Sequence, residues 1–369
     1  MNNTKTNSKA LFLFIWKFLS IQRWKFFFIF LLSLVWSLDA TIWPYLLRRI
    51  IDIFTQHDGD RAAAWPTLIG FLIWGGLLWI IVESGFRGRD FLQARAIPKL
   101  EADIRMAMFD HIQHHSPKYF NEHFSGSLSN KINDMTTQVT LLLQNMMIFI
   151  PAIATCALSI IFFYEVSPLF AVILGGWIFI HLAVCFAFAK KCAAYSNIHG
   201  EARSTLAGKI VDSLTNNFTV NLFFRFRFEK SQIEICQSVE RAKNYQARNY
   251  ATWMFLWLSI LFIVGGFTLN GFMIMRWMGG GISTGEIIQI FNTTWNVIMI
   301  LWFAGEVIPQ FFQSIGIASQ ALSVMHDPQD VFDSSQATAL SVTQGEIIFE
   351  NVSFHYGEKQ LFHSQAVHI

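Results

Sequence analysis

Six stretches of this chain are long and apolar enough to cross a bilayer, and they leave few folds open. They are Trp24–Leu47, Thr67–Val82, Val139–Phe163, Val166–Ala189, Trp253–Met275 and Ile287–Ile308. A spanning helix needs about 20 mostly apolar residues, because every backbone polar group inside hydrocarbon must find its partner within the helix. The second stretch is short unless it runs on past Glu83 and Ser84. Only Tyr164-Glu165 separate the third from the fourth, so these two form a tight hairpin, with Pro168 suited to a first helical turn. Charged residues make up only 14% of the chain, whereas a soluble domain carries about 25%. A net charge of +2 is too small to point to a nucleic-acid partner.

The intervals between spans are very unequal. Residues 83–138 and 190–252 are long, rich in alternating charge and poor in helix breakers, and both read as helix. Basic residues decide the sides. The N-terminal segment and the two long intervals carry 22 Lys and Arg, and the three short intervals carry 4. By the positive-inside rule the N-terminus and both long intervals are cytoplasmic, and an even number of spans returns the C-terminus to the same side. Ahead of the first span, Leu11, Phe12, Ile15, Phe18 and Leu19 share one helical face. Residues 10–22 therefore read as an interfacial helix, the other possibility being an extension of the first span. Cys156, Cys185, Cys192 and Cys236 have neither metal-ligand spacing nor an oxidising location, so no disulfide framework is expected.

Helix breakers interrupt both long intervals near their middles, at Pro117 with Asn121–Gly126 and at Asn216-Asn217. A short transverse helix at each tip would expose Tyr119, Phe120 and Phe124 on one, and Phe218 and Phe223 on the other. Such an aromatic ridge suits insertion into a partner; the alternative is a tip packed on its own stalk. Within the spans, ionisable groups are costly and often functional. Asp39 lies in the first, His181 in the fourth and Glu306 near the cytoplasmic end of the sixth, which also carries Trp295, Trp302 and Phe303. An aromatic cavity with one or two acids would suit an amphipathic, even cationic, substrate, giving Asp39, Trp295, Trp302 and Glu306 as candidate pathway residues. Helix–helix hydrogen bonds are the structural alternative for each acid. His111, His114 and His115 have helical spacing but no fourth ligand, and read as a hydrated or ion-paired face.

The C-terminal tail is of another kind. From Gly345, apolar residues alternate at Ile347 and Phe349, then resume out of phase at Val352, Phe354 and Tyr356, as a bulged strand would give. This string resembles the opening of an ABC ATPase domain. Three internal segments extend the resemblance to the type-1 ABC exporter half-transporters. They are Ser116–Phe120 with Ser125–Asp134, then Glu201–Leu206 through Asp212 to Phe224, and Gly281–Glu286. Departures include Ser125 for Thr, Asn130-Lys131 for Ser-Arg, Asp212 for Glu and Asn221 for Lys.

The resemblance implies an all-α polytopic domain of six helices with long helical cytoplasmic loops, followed by the first strands of an incomplete α/β ABC ATPase domain. Its parts would be an elbow over 1–23, the transmembrane domain over 24–326, a linker over 327–342 and the ATPase start over 343–369. It implies pairing with a second half-transporter, as homodimer or heterodimer, in a bacterial inner membrane. It also implies docking of the loop tips on ABC ATPase domains, and ATP with Mg²⁺ as the driving ligands of the complete transporter. Tyr356 occupies the position that stacks on adenine in that family. No G-x-x-x-x-G-K-[ST] phosphate loop occurs in the 369 residues, so this chain alone is expected to bind no nucleotide productively and to hydrolyse none. The expected function is the membrane half of an ATP-driven exporter of an amphipathic drug, lipid or peptide. The alternatives are a non-catalytic remnant of a split transporter, or a channel or carrier that needs no motor.

Overall fold

The computed structural model describes residues 8–57, 59, 62–122, 125–329, 331, 336–338, 342, 345–356 and 359–369. It divides into two units, residues 1–328 and 329–369.

The first unit is helical. Helix α1 (Ser8–Ile21) precedes α2 (Arg23–Ser33) and α3 (Val35–Gln56), which together make the first span with a break at Leu34. Then come α4 (Trp65–Gln113), the six-residue α5 (Pro117–Glu122), α6 (Ser125–Val166) and α7 (Pro168–Thr215). The six-residue α8 (Asn217–Leu222), α9 (Phe226–Met278) and α10 (Thr284–Leu322) follow, closed by a 3₁₀ turn at Ser323–His326. Among the described residues six helical segments are thus long and apolar enough to cross a membrane, as the apolar stretches require. Helices α4, α7 and α9 have 49, 48 and 53 residues, roughly 70–80 Å at 1.5 Å per residue, and so outrun a hydrocarbon core of about 30 Å.

Among the described residues two large apolar clusters hold much of the bundle, with smaller ones beside them. In one, Leu11 and Phe18 of α1 pack with Ile29 of α2, Ile104 and Met108 of α4, Met135 and Leu143 of α6, and Leu322 of α10. The stripe read as interfacial therefore buries its Leu11 and Phe18 positions against these helices, while Phe12 and Trp16 stay exposed. In the other, Phe163, Phe170, Leu174 and Trp177 meet Leu269, Ile290 and Val297 from α9 and α10.

Small residues set the approach between helices, as is usual where lipid supplies no hydrophobic drive. A Cβ on Gly265 of α9 would lie 2.4 Å from the Trp177 ring, whose indole N–H donates to the Leu261 carbonyl at 3.0 Å. Near the start of α10, Arg48 of α3 pairs with Glu286 at 2.9 Å and donates to Gln289 at 3.0 Å. The Gly285 amide donates to Asp52 at 2.9 Å. Glu286 also closes a capping box with Ser283, so one carboxylate both starts α10 and ties it to α3.

In the second unit, β1 (Ile348–Tyr356) pairs antiparallel with β2 (Lys359–His368). The register shifts between Phe349 and Val352, where Asn351 has φ 50°, which is the phase slip read in the sequence.

Candidate functional site

The tip between α7 and α9 is bare. Phe218, Phe223 and Phe224 are 79%, 67% and 83% exposed. Asn216 accounts for the break ahead of α8: its side-chain amide donates back to the Asp212 carbonyl and carboxylate, competing with continued helix. The chain then turns through Phe224 at φ 52° into α9.

The other tip differs from the exposed ridge its sequence suggests. Tyr119 of α5 is half-buried beside Ile112, Leu128 and Val324, stacks on His115 at 4.1 Å and donates its hydroxyl to Asp327 at 3.0 Å. Burial, with that hydrogen bond second, pushes the phenol up to about 12. His115 is buried rather than hydrated, and His111 lies 3.2 Å from the Asp327 carbonyl. His114, 3.8 Å from Asp110, keeps the ion-paired surface expected of the trio. Among the described residues no His, Cys, Asp and Glu group could hold a metal. Phe120 is 38% exposed; Phe124 lies outside the described residues, as does the side chain of Tyr356.

The candidate pathway residues separate. Trp295 and Trp302 line one cleft of about 600 Å³ between α9 and α10, with Phe262, Phe267, Phe291 and Thr294. Glu306 lines a neighbouring groove of about 290 Å³ with His199, Asn244 and Arg248. The two are joined by rings: Trp302 of the cleft lies 5.4 Å from Phe262 and 5.6 Å from Phe255, and Phe255 lines the groove. Asp39 is half-buried on α3 and lines neither. His181 is fully buried, with its Nε2 3.0 Å from the Leu301 carbonyl, a bond between α7 and α10.

Sequence reasoning missed Phe262, Phe267, Phe291 and Arg248. The signal on α10 was the stripe Phe291, Thr294, Trp295, Ile298, Trp302, whose spacing follows one helix face. On α9, residues lining the two cavities are spread from Asn244 to Asn270, and only the packing selects them.

In the groove, His199 of α7 meets Glu240 of α9 at 2.8 Å, and Gln237 and Asn244 donate to the same carboxylate. The His199 contact, followed by these amides, holds Glu240 below the usual carboxylate range.

Residues 26–299 match the model of the ABC transporter transmembrane region. An "Uncharacterized ABC transporter ATP-binding protein" of Haemophilus influenzae is 23% identical over 377 residues, covering 96% of this chain and 58% of the relative. A mouse ABC-type oligopeptide transporter is 23% identical over 338 residues, covering 88% of this chain and 42% of its own length. The chain thus spans 58% of the first of these relatives and less of the second. Among solved structures, a bacterial Atm1-family ABC exporter with ATP bound superposes with a TM-score of 0.74 at 15% identity, over 95% of this chain and 61% of that one. With six spanning helices in that fold and the family match over most of its length, this integral membrane protein belongs to the ABC transporter transmembrane family.

Proposed function

We propose that the chain is the membrane half of an ATP-driven exporter that moves an amphipathic substrate by alternating access. Two such halves pair. Their loop tips dock on ABC ATPase domains, and the stalk helices turn ATP-driven closure of those domains into rigid-body opening of one side or the other. ATP with Mg²⁺ is the fuel, Tyr356 is the adenine-stacking candidate, and both termini face the cytoplasm of a bacterial cell.

One observation carries this reading: the far end of two helices too long for the bilayer presents three bare phenylalanines at the α8 tip. Phenylalanine exposed to water at the end of a stalk marks a docking point. The α9–α10 cleft supports the amphipathic cargo, since it offers aromatic walls and very little charge. The mouse relative is described as an oligopeptide transporter, which puts amphipathic peptides among the cargoes to try.

The test is ATP-dependent uptake of fluorescent amphiphiles by inside-out vesicles carrying the protein paired with its ATPase domains. Uptake should require hydrolysable ATP and fall when Phe218 and Phe223 are both changed to Ala. Uptake that ignores ATP would replace this reading with a motor-independent carrier.

A further inference from the structure

The cleft and the groove form one seam along α9 and α10, and its two ends differ in chemistry. The upper part is apolar. Phe262, Phe291, Trp295 and Trp302 make its walls, and Gly266 leaves its floor open, with nothing nearer to an added Cβ than Ile298 at 4.0 Å. Thr294, which lines it, is 2% exposed and its hydroxyl has no partner among the described residues, so a buried hydrogen-bonding group stands unused at the wall.

The lower part carries one full charge of each sign. Among the described residues Arg248 spends only its Nε, on the Asn244 amide oxygen at 2.8 Å, which leaves both terminal guanidinium nitrogens uncommitted. Among the described residues Glu306 has no hydrogen bond and no ion pair, and it does not pair with Arg248 although both line the groove. The other titratable groups there are the buried Cys192 thiol and His199, which is already taken by Glu240. Opposite charges that share a groove yet remain apart and unspent are complementary to a ligand bearing both signs. A cation alone would leave Arg248 facing like charge; an anion alone would leave Glu306 so.

We propose that the α9–α10 seam binds a zwitterionic amphiphile, its apolar part along Trp295 and Trp302 and its head between Arg248 and Glu306. This deepens the exporter reading and rests on it, by narrowing the cargo from amphipathic to zwitterionic. It also revises the cationic expectation, because the aromatic cleft has no acid of its own and the carboxylate lining the adjoining groove, Glu306, comes with Arg248.

The probes are single-chain amphiphiles with one brominated 12-carbon tail and four heads: phosphocholine, trimethylammonium, sulfate and maltoside. Each is titrated below its micelle concentration into the purified chain in nanodiscs. Binding is read as tryptophan quenching that disappears in a Trp295→Phe, Trp302→Phe background. The phosphocholine head should bind about tenfold tighter than each of the others, the scale of one charge-assisted contact. Arg248→Gln should make the trimethylammonium probe the best ligand, and Glu306→Gln the sulfate probe. Gly266→Leu, which fills the cleft floor, should weaken all four alike. Both charge variants sit at exposed positions, so folding is not at stake.

Head-group preferences that ignore both charge variants would overturn the site, even if ATP-driven uptake persists. Preferences that switch as described while uptake ignores ATP would leave the site standing and remove the exporter reading instead.

Discussion

Gly265 and Gly266 are neighbours in sequence with opposite surroundings, which makes a controlled experiment. Replacing either by Ala removes a helix-interior glycine and stabilises by about 0.5–1 kcal/mol. For Gly266 little opposes this, since the nearest atom to the new Cβ is 4.0 Å away. For Gly265 the Cβ falls 2.4 Å from two atoms of the Trp177 indole, a separation that real structures do not hold. Trp177 is buried in the α7–α9 packing, lies 6.2 Å from the Phe262 ring and is tied to the Leu261 carbonyl, so it cannot simply swing away. Overpacking costs about 1–3 kcal/mol and losing the indole hydrogen bond about 1 more, so the net destabilisation is about 1–3 kcal/mol. Cys185, fully buried in the neighbouring α7–α9–α10 core, reports it. With the other three cysteines replaced, its labelling through local opening should rise roughly 5- to 140-fold in Gly265→Ala, since 1.4 kcal/mol is a factor of ten. Gly266→Ala should label at or below the parent rate. Equal rates for the two variants would refute the idea that Gly265 sets the spacing between α7 and α9.

At the start of α10, Gly285→Ala would put a Cβ 2.3 Å from the Arg48 carbonyl and 2.4 Å from Asp52. It should lower stability by about 1–3 kcal/mol, seen as faster thermal inactivation, while Gly271→Ala, with open space around it, should not. Glu240 is held below the usual carboxylate range, so its contribution to the α7–α9 contact is present above that range and is lost as pH falls through its lowered folded value. The distance between spin labels on the neighbouring α7 and α9 stalk surfaces should grow on that acid limb, and Glu240→Gln should abolish the pH dependence. Cysteines placed at Ser125 and at Asn217 should label from the cytoplasmic side and one at Gly280 from the opposite side; Ser125 and Gly280 on one face would break the six-span topology. In the protein paired with its ATPase domains, Phe223→Ala should cut cargo-stimulated ATP turnover more than basal turnover, and a variant that cargo stimulates as strongly as the parent would remove the tip from the coupling route.

What the sequence could reveal follows from the range of the physics. A spanning helix satisfies its backbone internally, so 20 apolar residues announce it without any partner, and all six spans were legible this way. The strand slip at Asn351 was legible too, because side-chain alternation is local. Contacts between helices are not local. Nothing in the string Gly265-Gly266 tells which glycine faces a tryptophan 88 positions earlier, since that depends on the rotation of α7 against α9. Tyr119 and Phe120 look alike in sequence, yet only Tyr119 carries a hydroxyl that can reach an acceptor, and Asp327 supplies it from 208 residues away. Burying a phenol is costly unless its hydroxyl is bonded, so this distant acceptor is what permits Tyr119 to pack inward. The same reasoning separates the two acids marked from the sequence. Asp39 and Glu306 were equally conspicuous as charges among apolar residues, but only Glu306 shares a groove with an uncommitted cation, Arg248, 58 positions before it on another helix. An unpaired charge inside a span shows that something must compensate it; which group does so, and for what ligand, is decided by helix register, and that is where Arg248 and Glu306, apart and unspent in one groove, become visible together.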